Sequence, residues 1–303
     1  MNMKHRILLF AFTLLSVSLA SAKYVIVKLP YAGMLDYELA KEAKWAEVDS
    51  LKIDGNINGT DVRAFRRMAY GWDPDGEFNP DNNAESSLSR RNPIPDGANG
   101  KLRYLDLSDA NIVEGGDYYA LISRYEYDEF KEYVECHTKN NVISVWMLDG
   151  YFFNKIILPK TATEIEPFAL GGDNHLTALA FNDGITEISG QLMSGYRDNA
   201  LCDVQLPSNL QIIGEKAFYN CDALKTISFP ESLWFVGDEA FGNCKLRLNP
   251  QQLSNLSYIG CRAFAETSFE ESETLTMKSL IHIGEEAVRL DSKSLDFTFS
   301  LCR

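Results

Sequence analysis

The chain has 303 residues, a formal net charge of −14 and 45% hydrophobic residues. That hydrophobic fraction is enough to form a buried core, which excludes a disordered chain. The excess of carboxylates over Lys and Arg repels phosphate backbones and anionic lipid, which excludes nucleic acid as a partner.

The first 22 residues have the composition of a secretory leader. A short basic segment, MNMKHR, precedes an apolar run of 14 residues and the small residues Ala20, Ser21 and Ala22. Such a run is too short to span a bilayer, and it ends in a typical cleavage site. We therefore predict a signal peptide over residues 1–22, a mature chain from Lys23, and a location at the cell surface, in the periplasm or outside the cell. No later apolar run in the sequence is long enough to predict a transmembrane helix.

Residues 23–141 are predicted to form a cap with atypical first coils of the repeat architecture that follows. LKIDGNINGTDVRAFRRMA predicts a strand, a turn and a helix that begins near Thr60 or Asp61. LRYLDLSDANIV predicts a second strand with Leu102, Leu105 and Leu107 along it. The two strands are expected to be neighbours in space. An independent domain over 23–141 is the alternative.

An insertion at 72–100 separates these two strands in the sequence. It is rich in Pro, Gly, Asp and Asn and is predicted to be a surface loop. GWDPDGEFNPDN resembles part of a calcium-binding EF-hand loop, but Gly71 and Asn82 stand where the charged end ligands belong. A solvated loop is therefore favoured, and a weak calcium site using Asp73, Asp75 and Asp81 remains as the alternative. No other metal and no cofactor is predicted.

The segment DYYALISRYEYDEFKEYVEC at 117–136 carries five tyrosines. We interpret it as an amphipathic helix that packs one aromatic face on the cap. Aromatic clusters also stack on sugars or anchor partners, which is the alternative role.

From residue 142 onward the chain repeats itself. Six copies of an Ile–Gly-like pair recur at steps of 23, 25, 23, 23 and 24 residues, at Ile165, Ile188, Ile213, Val236, Ile259 and Ile283. Between copies, segments such as LTALAF, LCDVQL and LKTISF alternate apolar and polar residues as a strand does. The following IGxxAF segment predicts a short helix or 3₁₀ turn, with the recurring Gly supplying an unusual backbone conformation. One such unit cannot bury its apolar edge alone, so stacking of the units into a solenoid is predicted.

The stretch LPSNLQIIGEKAFYNCDALKTISFPESLWFVGDEAFGNC closely resembles the BspA-like leucine-rich repeats of exported bacterial proteins. The resemblance implies an α/β fold over 142–303: a right-handed leucine-rich-repeat solenoid of about six repeats. Its curved parallel sheet would line the concave face, and short helices or 3₁₀ turns the convex face. The family also implies an adhesin or a binding scaffold. Pro250, the carboxylates of FEESETLTM at 269–277, and Ser189 and Glu166 in place of Gly depart from the pattern.

The sequence favours no catalytic centre. Cys221 and Cys244 occupy equivalent places in adjacent repeats, which favours a ladder of buried thiols, with a disulfide between them as the alternative. A catalytic thiol needs a neighbouring base, and His137, the sequence neighbour of Cys136, would diverge from it on a helix. Motifs of serine hydrolases, zinc proteases and nucleotide-binding enzymes are absent from the sequence. We therefore predict that the protein is not an enzyme.

The outward positions of the repeat strands are the candidate binding site, because solenoids bind partners through extended sheet surfaces. These residues are Asp106, Lys155, Ile157, Asp203, Gln205, Thr226 and Ser228, with Ala178 and Ala180 between them. We predict a monomeric exported protein that binds a protein or glycan through the concave face. A structural component of a surface assembly is the alternative, and a polysaccharide or peptide hydrolase is a more remote one.

Overall fold

The computed structural model describes residues 23–70, 100–126, 129–148, 153–171, 175–193, 199–269, 276–277, 279–288 and 298–299. The predicted leader and the predicted calcium ligands Asp73, Asp75 and Asp81 lie outside these residues, as does most of FEESETLTM. In the described part of the chain, no helix is long and apolar enough to cross a membrane.

Short parallel strands dominate the described secondary structure. In chain order the strands are β1 (Tyr24–Leu29), β2 (Ser50–Ile57), β3 (Tyr104–Ile112), β4 (Ala120–Glu126), β5 (Glu129–Cys136), β6 (Val142–Ile143), β7 (Lys155–Ile157), β8 (Glu164–Ile165), β9 (Ala178–Ala180), β10 (Glu187–Ile188), β11 (Asp203–Gln205), β12 (Ile212–Ile213), β13 (Phe235–Val236), β14 (Arg247–Leu248), β15 (Tyr258–Ile259), β16 (Ser268–Phe269), β17 (Thr276–Met277), β18 (His282–Ile283) and β19 (Thr298–Phe299). The helices are α1 (Leu35–Glu42), α2 (Gly59–Tyr70) and the 3₁₀ helices Trp45–Glu47 and Pro250–Leu253.

Six strands form the first sheet, in the order β1–β2–β3–β7–β9–β11, and all of them run parallel. Within β1 the residues alternate between exposed and buried, because successive side chains of a strand point to opposite faces. The buried face packs into one apolar core that continues from the N-terminal coils into the repeats. The N-terminal strands and the repeat strands therefore share a single continuous sheet.

The strand–turn–helix prediction at 51–69 is confirmed by β2 and α2, and β2 pairs with β3 as expected. The buried carboxylate of Asp61 fixes the start of α2. It accepts hydrogen bonds from the backbone N–H groups of Gly33 at 2.5 Å, Leu35 at 2.9 Å and Asn58 at 3.0 Å. These three bonds also anchor the turn that leads from β1 into α1.

The prediction of an amphipathic helix at 117–136 is wrong. This segment is an antiparallel hairpin in which β4 pairs with β5, with Ala120 opposite Cys136. Tyr119, next to the hairpin, is fully buried and donates a hydrogen bond from its hydroxyl to the Val145 carbonyl at 2.8 Å. Burial raises the pKa of Tyr119 well above its ordinary range, so the hydroxyl stays a neutral donor.

Five of the six register residues of the repeat lie in a second parallel sheet, in the order β10–β12–β13–β15–β18. The sixth, Ile165, lies in β8, which pairs with β6 in a separate two-stranded sheet. Ile188 pairs with Ile213, Ile213 with Val236, Val236 with Ile259, and Ile259 with Ile283. The stacking predicted from the repeat step is thus confirmed for these five residues. A further copy begins at Ile143, which pairs with Ile165 and was missed in the sequence.

The IGxxAF segments turn rather than form helices. In the copy at Ile213, the amide of Ala217 bonds the Gly214 carbonyl at 3.3 Å, which closes a four-residue turn. Lys216, the third residue of this turn, has φ of 55°, as the third residue of a type II turn requires. The same left-handed position recurs in each coil at Trp146, Phe168, Gln191, Lys216, Glu239, Arg262 and Glu286.

The recurring Gly has a different role from the one predicted. Gly237 and Gly260 do not have positive φ. A Cβ on Gly260 would lie 2.4 Å from the Asp238 nitrogen and 2.6 Å from the Gly237 carbonyl carbon. Glycine is needed here because the main chains of adjacent coils touch.

Stacked phenylalanines fill the core of the later coils. The rings of Phe218, Phe241 and Phe264 are nearly parallel, with centroids 5.3 and 5.5 Å apart. Pro250 breaks the pattern as expected, because β14 ends at Leu248 and a 3₁₀ helix follows. Asn249 caps this helix by accepting the Gln251 amide at 2.9 Å.

Candidate functional site

The outward side of the first sheet, here called the open face, is the side that faces away from the apolar core. Two rows of directly paired residues run across it. The first row is Tyr24, Ser50, Tyr104, Lys155, Ala178 and Asp203. The second row is Ile26, Lys52, Asp106, Ile157, Ala180 and Gln205.

Five of the seven predicted site residues lie in these two rows: Asp106, Lys155, Ile157, Asp203 and Gln205. Thr226 and Ser228 are exposed on either side of buried Ile227, which has the alternation of a strand. This segment is not hydrogen-bonded into the sheet, because the first sheet ends at β11. The structure therefore places these two residues beyond the edge of the sheet rather than within it.

A network of charges covers the part of the open face between β2 and β3. Lys52 lies 2.7 Å from a carboxylate oxygen of Asp109 and 3.7 Å from one of Asp106, and Lys160 lies 3.0 Å from Asp109. The hydrogen bond from Lys52, followed by that from Lys160, lowers the pKa of Asp109. Asp106 also accepts the Ser108 amide at 2.9 Å and is only 7% exposed. Its carboxylate is therefore engaged within the protein.

A shallow strip crosses the open face at β9, where both outward residues are alanines. Ala180 is buried although it points outward, because its neighbours on β7 and β11 have longer side chains. Lys155 and Ile157 form one side of the strip, and Asp203 and Gln205 form the other. Oppositely charged side chains thus flank an apolar floor that a ligand can approach closely.

The side chains on the β11 side of this strip have no partners within the described residues. Asp203, Gln205, Thr226 and Ser228 are all exposed. None of the hydrogen bonds or ion pairs of the described chain involves these four side chains. Lys155, by contrast, lies over the Tyr104 ring at 5.6 Å, in a cation–π contact.

Cys221 and Cys244 are buried free thiols in adjacent coils, as the sequence favoured. Cys244 donates a hydrogen bond to the Phe218 carbonyl at 3.0 Å. The hydrogen bond with Cys244 and burial together raise the pKa of the Cys221 thiol. A thiol with a raised pKa is a poor nucleophile, so Cys221 serves the packing of the core rather than catalysis.

Other chemistry is sparse in the described part of the chain. No three His, Cys, Asp or Glu side chains there lie close enough together to hold a metal ion. A groove of about 610 Å³ lies beside α1, with Leu39 and Trp45 among its lining residues. Its charged residues include Lys23 and Glu47, which pair with one another at 3.8 Å.

The sequence analysis missed the N-terminal part of the open face. Tyr24 and Ile26 are outward and exposed, and Lys52 and Tyr104 continue their rows. YVIVKL is rich in Val and Ile, which predicts a strand, but Ile26 interrupts the alternation of polar and apolar residues that would identify the outward side.

Comparison with protein families identifies the repeat. The family model of the BspA type leucine rich repeat region matches residues 143–270 and 193–300, with six copies. No curated protein matches the chain. The matched residues make up more than half of the 303-residue chain. The repeat step, the paired register residues and this match agree, and the chain belongs to the BspA type leucine-rich repeat family.

Proposed function

We propose that this protein is an exported binding or adhesion protein that recognises a protein or glycan through the open face of its first sheet. Solenoids present extended surfaces of this kind to macromolecular partners, and the family match supports a repeat protein for binding. The proposed site is the alanine strip with its two sides, extended by Thr226 and Ser228. The proposed role requires no catalysis and no cofactor.

The main observation behind the proposal is that exposed polar side chains without hydrogen-bond partners lie beside the apolar surface of the alanine strip. Asp203 and Gln205 are exposed and have no partner among the described residues. Binding sites combine apolar area with a small number of polar groups that fix the orientation of the ligand. Ala178 and Ala180 supply the floor, so a sugar ring or an extended peptide can lie against the backbone of β9.

The test compares two fourfold variants on a glycan array and on an array of extracellular proteins. The site variant carries Asp203→Ala, Gln205→Ala, Thr226→Ala and Ser228→Ala. The control variant makes the same change of charge, with Glu in place of Asp, on exposed residues away from the open face: Glu187→Ala, Gln211→Ala, Thr186→Ala and Ser279→Ala.

We expect the site variant to lose the array signals that the control variant keeps. Loss of a few buried hydrogen bonds at an interface weakens binding by about tenfold or more. Equal signals from the two variants would place binding elsewhere, and an absence of any signal from the unmodified protein would contradict the proposal.

A further inference from the structure

β1 is the outer strand of the first sheet, and within the described residues nothing pairs with its free edge. The amide of Ser50 donates a hydrogen bond to the Lys23 carbonyl at 3.4 Å, so the main-chain groups of Lys23 point toward β2. This bond determines which residues of β1 point toward β2 and which point away from it. In a parallel ladder, alternate residues direct both main-chain groups to the same neighbour. The N–H and C=O groups of Tyr24, Ile26 and Lys28 therefore point away from β2, toward the free edge.

This edge has little of the protection that natural proteins give to outer strands. Charged side chains, prolines, bulges and covering loops are the usual devices against edge-to-edge pairing. β1 has six residues without proline or bulge, and its only outward charge is Lys28. Tyr24 is 53% exposed and Ile26 is 50% exposed.

Exposed apolar side chains are concentrated in the first coil, to which β1 belongs. Of the eight large hydrophobic residues that are exposed in the described chain, five lie between residues 24 and 45: Tyr24, Ile26, Tyr31, Tyr37 and Trp45. Soluble monomers rarely concentrate their exposed apolar surface in this way, and such patches mark interfaces.

The net charge of this coil is small. Residues 23–49 contain four lysines against five Asp and Glu, a net charge of −1. Electrostatic repulsion between two copies that meet at this coil is therefore weak.

We propose that two copies of this chain pair edge to edge through antiparallel β1 strands. A two-fold axis at Ile26 sets Ile26 opposite Ile26, and Tyr24 opposite Lys28 of the partner. Of the symmetric registers, this one uses all three outward-pointing residues, and it forms up to six main-chain hydrogen bonds. It also brings the Lys28 ammonium of each copy to the Tyr24 ring of the other, a cation–π pair.

The consequence is a doubled open face. Residues opposite one another in an antiparallel pair point to the same side of the sheet, so both open faces lie on one side. The six strands of each copy become one twelve-stranded sheet. The sequence alone favoured a monomer, because it shows neither the free edge nor the clustering of exposed apolar residues. The dimer stands independently of the proposed ligand.

The test measures the mass of the natively secreted protein in solution by light scattering coupled to size exclusion, across a dilution series. Ile26→Lys places two ammonium groups opposite each other at the two-fold axis and is expected to give a monomer. Ile281→Lys is the matched control, because it makes the same change at an exposed isoleucine outside the first sheet. The unmodified protein and the control are expected to have twice the mass of the chain. A monomeric unmodified protein, or a dimeric Ile26→Lys protein, would overturn the proposal.

Hydrogen exchange of the unmodified protein keeps the test decisive if Ile26→Lys does not fold. The amides of Tyr24, Ile26 and Lys28 are expected to exchange more slowly at high protein concentration than at high dilution. Equal exchange at both concentrations would also overturn the proposal.

Discussion

Replacing Gly260 with alanine tests why glycine recurs in the repeat. In this coil the main chain of Gly260 lies against the coil before it. An added Cβ would be 2.4 Å from the Asp238 nitrogen and 2.6 Å from the Gly237 carbonyl carbon. Ordinary contacts between such atoms begin at about 3.5 Å. The Asp238 carboxylate oxygen, at 2.3 Å, can rotate away, but the two main-chain atoms cannot. The two coils must therefore separate by about 1 Å.

The separation stretches hydrogen bonds that join the coils. Gly260 donates to the Val236 carbonyl at 2.8 Å, and the Cys261 amide donates to the Asp238 carboxylate at 2.8 Å. Overpacking costs about 1–3 kcal/mol and each weakened hydrogen bond about 1 kcal/mol. We expect Gly260→Ala to lower the free energy of unfolding by about 3 kcal/mol, which is a fall in melting temperature of about 6–12 °C.

Ser189 provides the matched control, since it occupies the same register position in an earlier coil. There the structure already accommodates a Cβ, and the Ser189 hydroxyl donates to the Ile165 carbonyl. Ser189→Ala should therefore lower the free energy of unfolding by about 1 kcal/mol, the contribution of this one hydrogen bond. Thermal and urea unfolding followed by circular dichroism measure both variants. If Gly260→Ala proves no less stable than Ser189→Ala, close approach of the coils is not the reason for the glycine.

Three further predictions concern the core, the charge network and the thiols. Phe241→Ala should lower the free energy of unfolding by about 3–5 kcal/mol in a urea titration, because its ring stacks on Phe218 and on Phe264. A loss below about 1 kcal/mol would contradict the stacking of the three rings. Asp109→Asn should destabilise the protein at neutral pH. Because the folded-state pKa of Asp109 is lowered, this difference should vanish as the pH falls through that pKa, and a pH-independent difference would contradict the role of Lys52 and Lys160. Maleimide should modify the exposed thiol of Cys202 in the folded protein and reach Cys244 only after denaturation, as judged by peptide mass spectrometry; rapid native labelling of Cys244 would contradict its burial.

The stacked architecture could be predicted because two independent periods agree in the sequence. Strands such as LCDVQL alternate every second residue, and the whole unit returns after about two dozen residues. A residue that recurs at that interval must meet its own copy when coils stack. The pairing of Ile213 with Val236 is the direct result.

Local backbone geometry was harder to predict. In IIGEKAF the apolar residues Ile213, Ala217 and Phe218 lie at spacings that suit either one helical turn or a tight turn. The structure selects the turn because the Lys216 amide bonds the Asp238 carbonyl of the next coil at 2.9 Å. That bond lies between residues distant in the sequence, so the local pattern contains no sign of it.

The tyrosine-rich hairpin was misread for a related reason. The tyrosines of this segment favour a helical face, but Phe130, Val134 and Cys136 recur at even spacings, as residues on one side of a strand do. Asp128, a turn-favouring residue, stands between the two halves in the sequence and was the available signal for a hairpin.

The open face was predicted in part, because the outward residues of β7 and β11 follow from the alternation of residues along a strand. The ion pair between Asp106 and Lys52 could not be predicted, because it depends on the pairing of β3 with β2 in the folded protein.

The most direct test of binding through the open face is hydrogen exchange of the protein with a ligand identified on the arrays. The account predicts that ligand slows amide exchange in peptides that contain β9 and β11 and leaves β12 and β13 in the second sheet unchanged. Protection confined to β12 and β13, with none at β9 and β11, would contradict it.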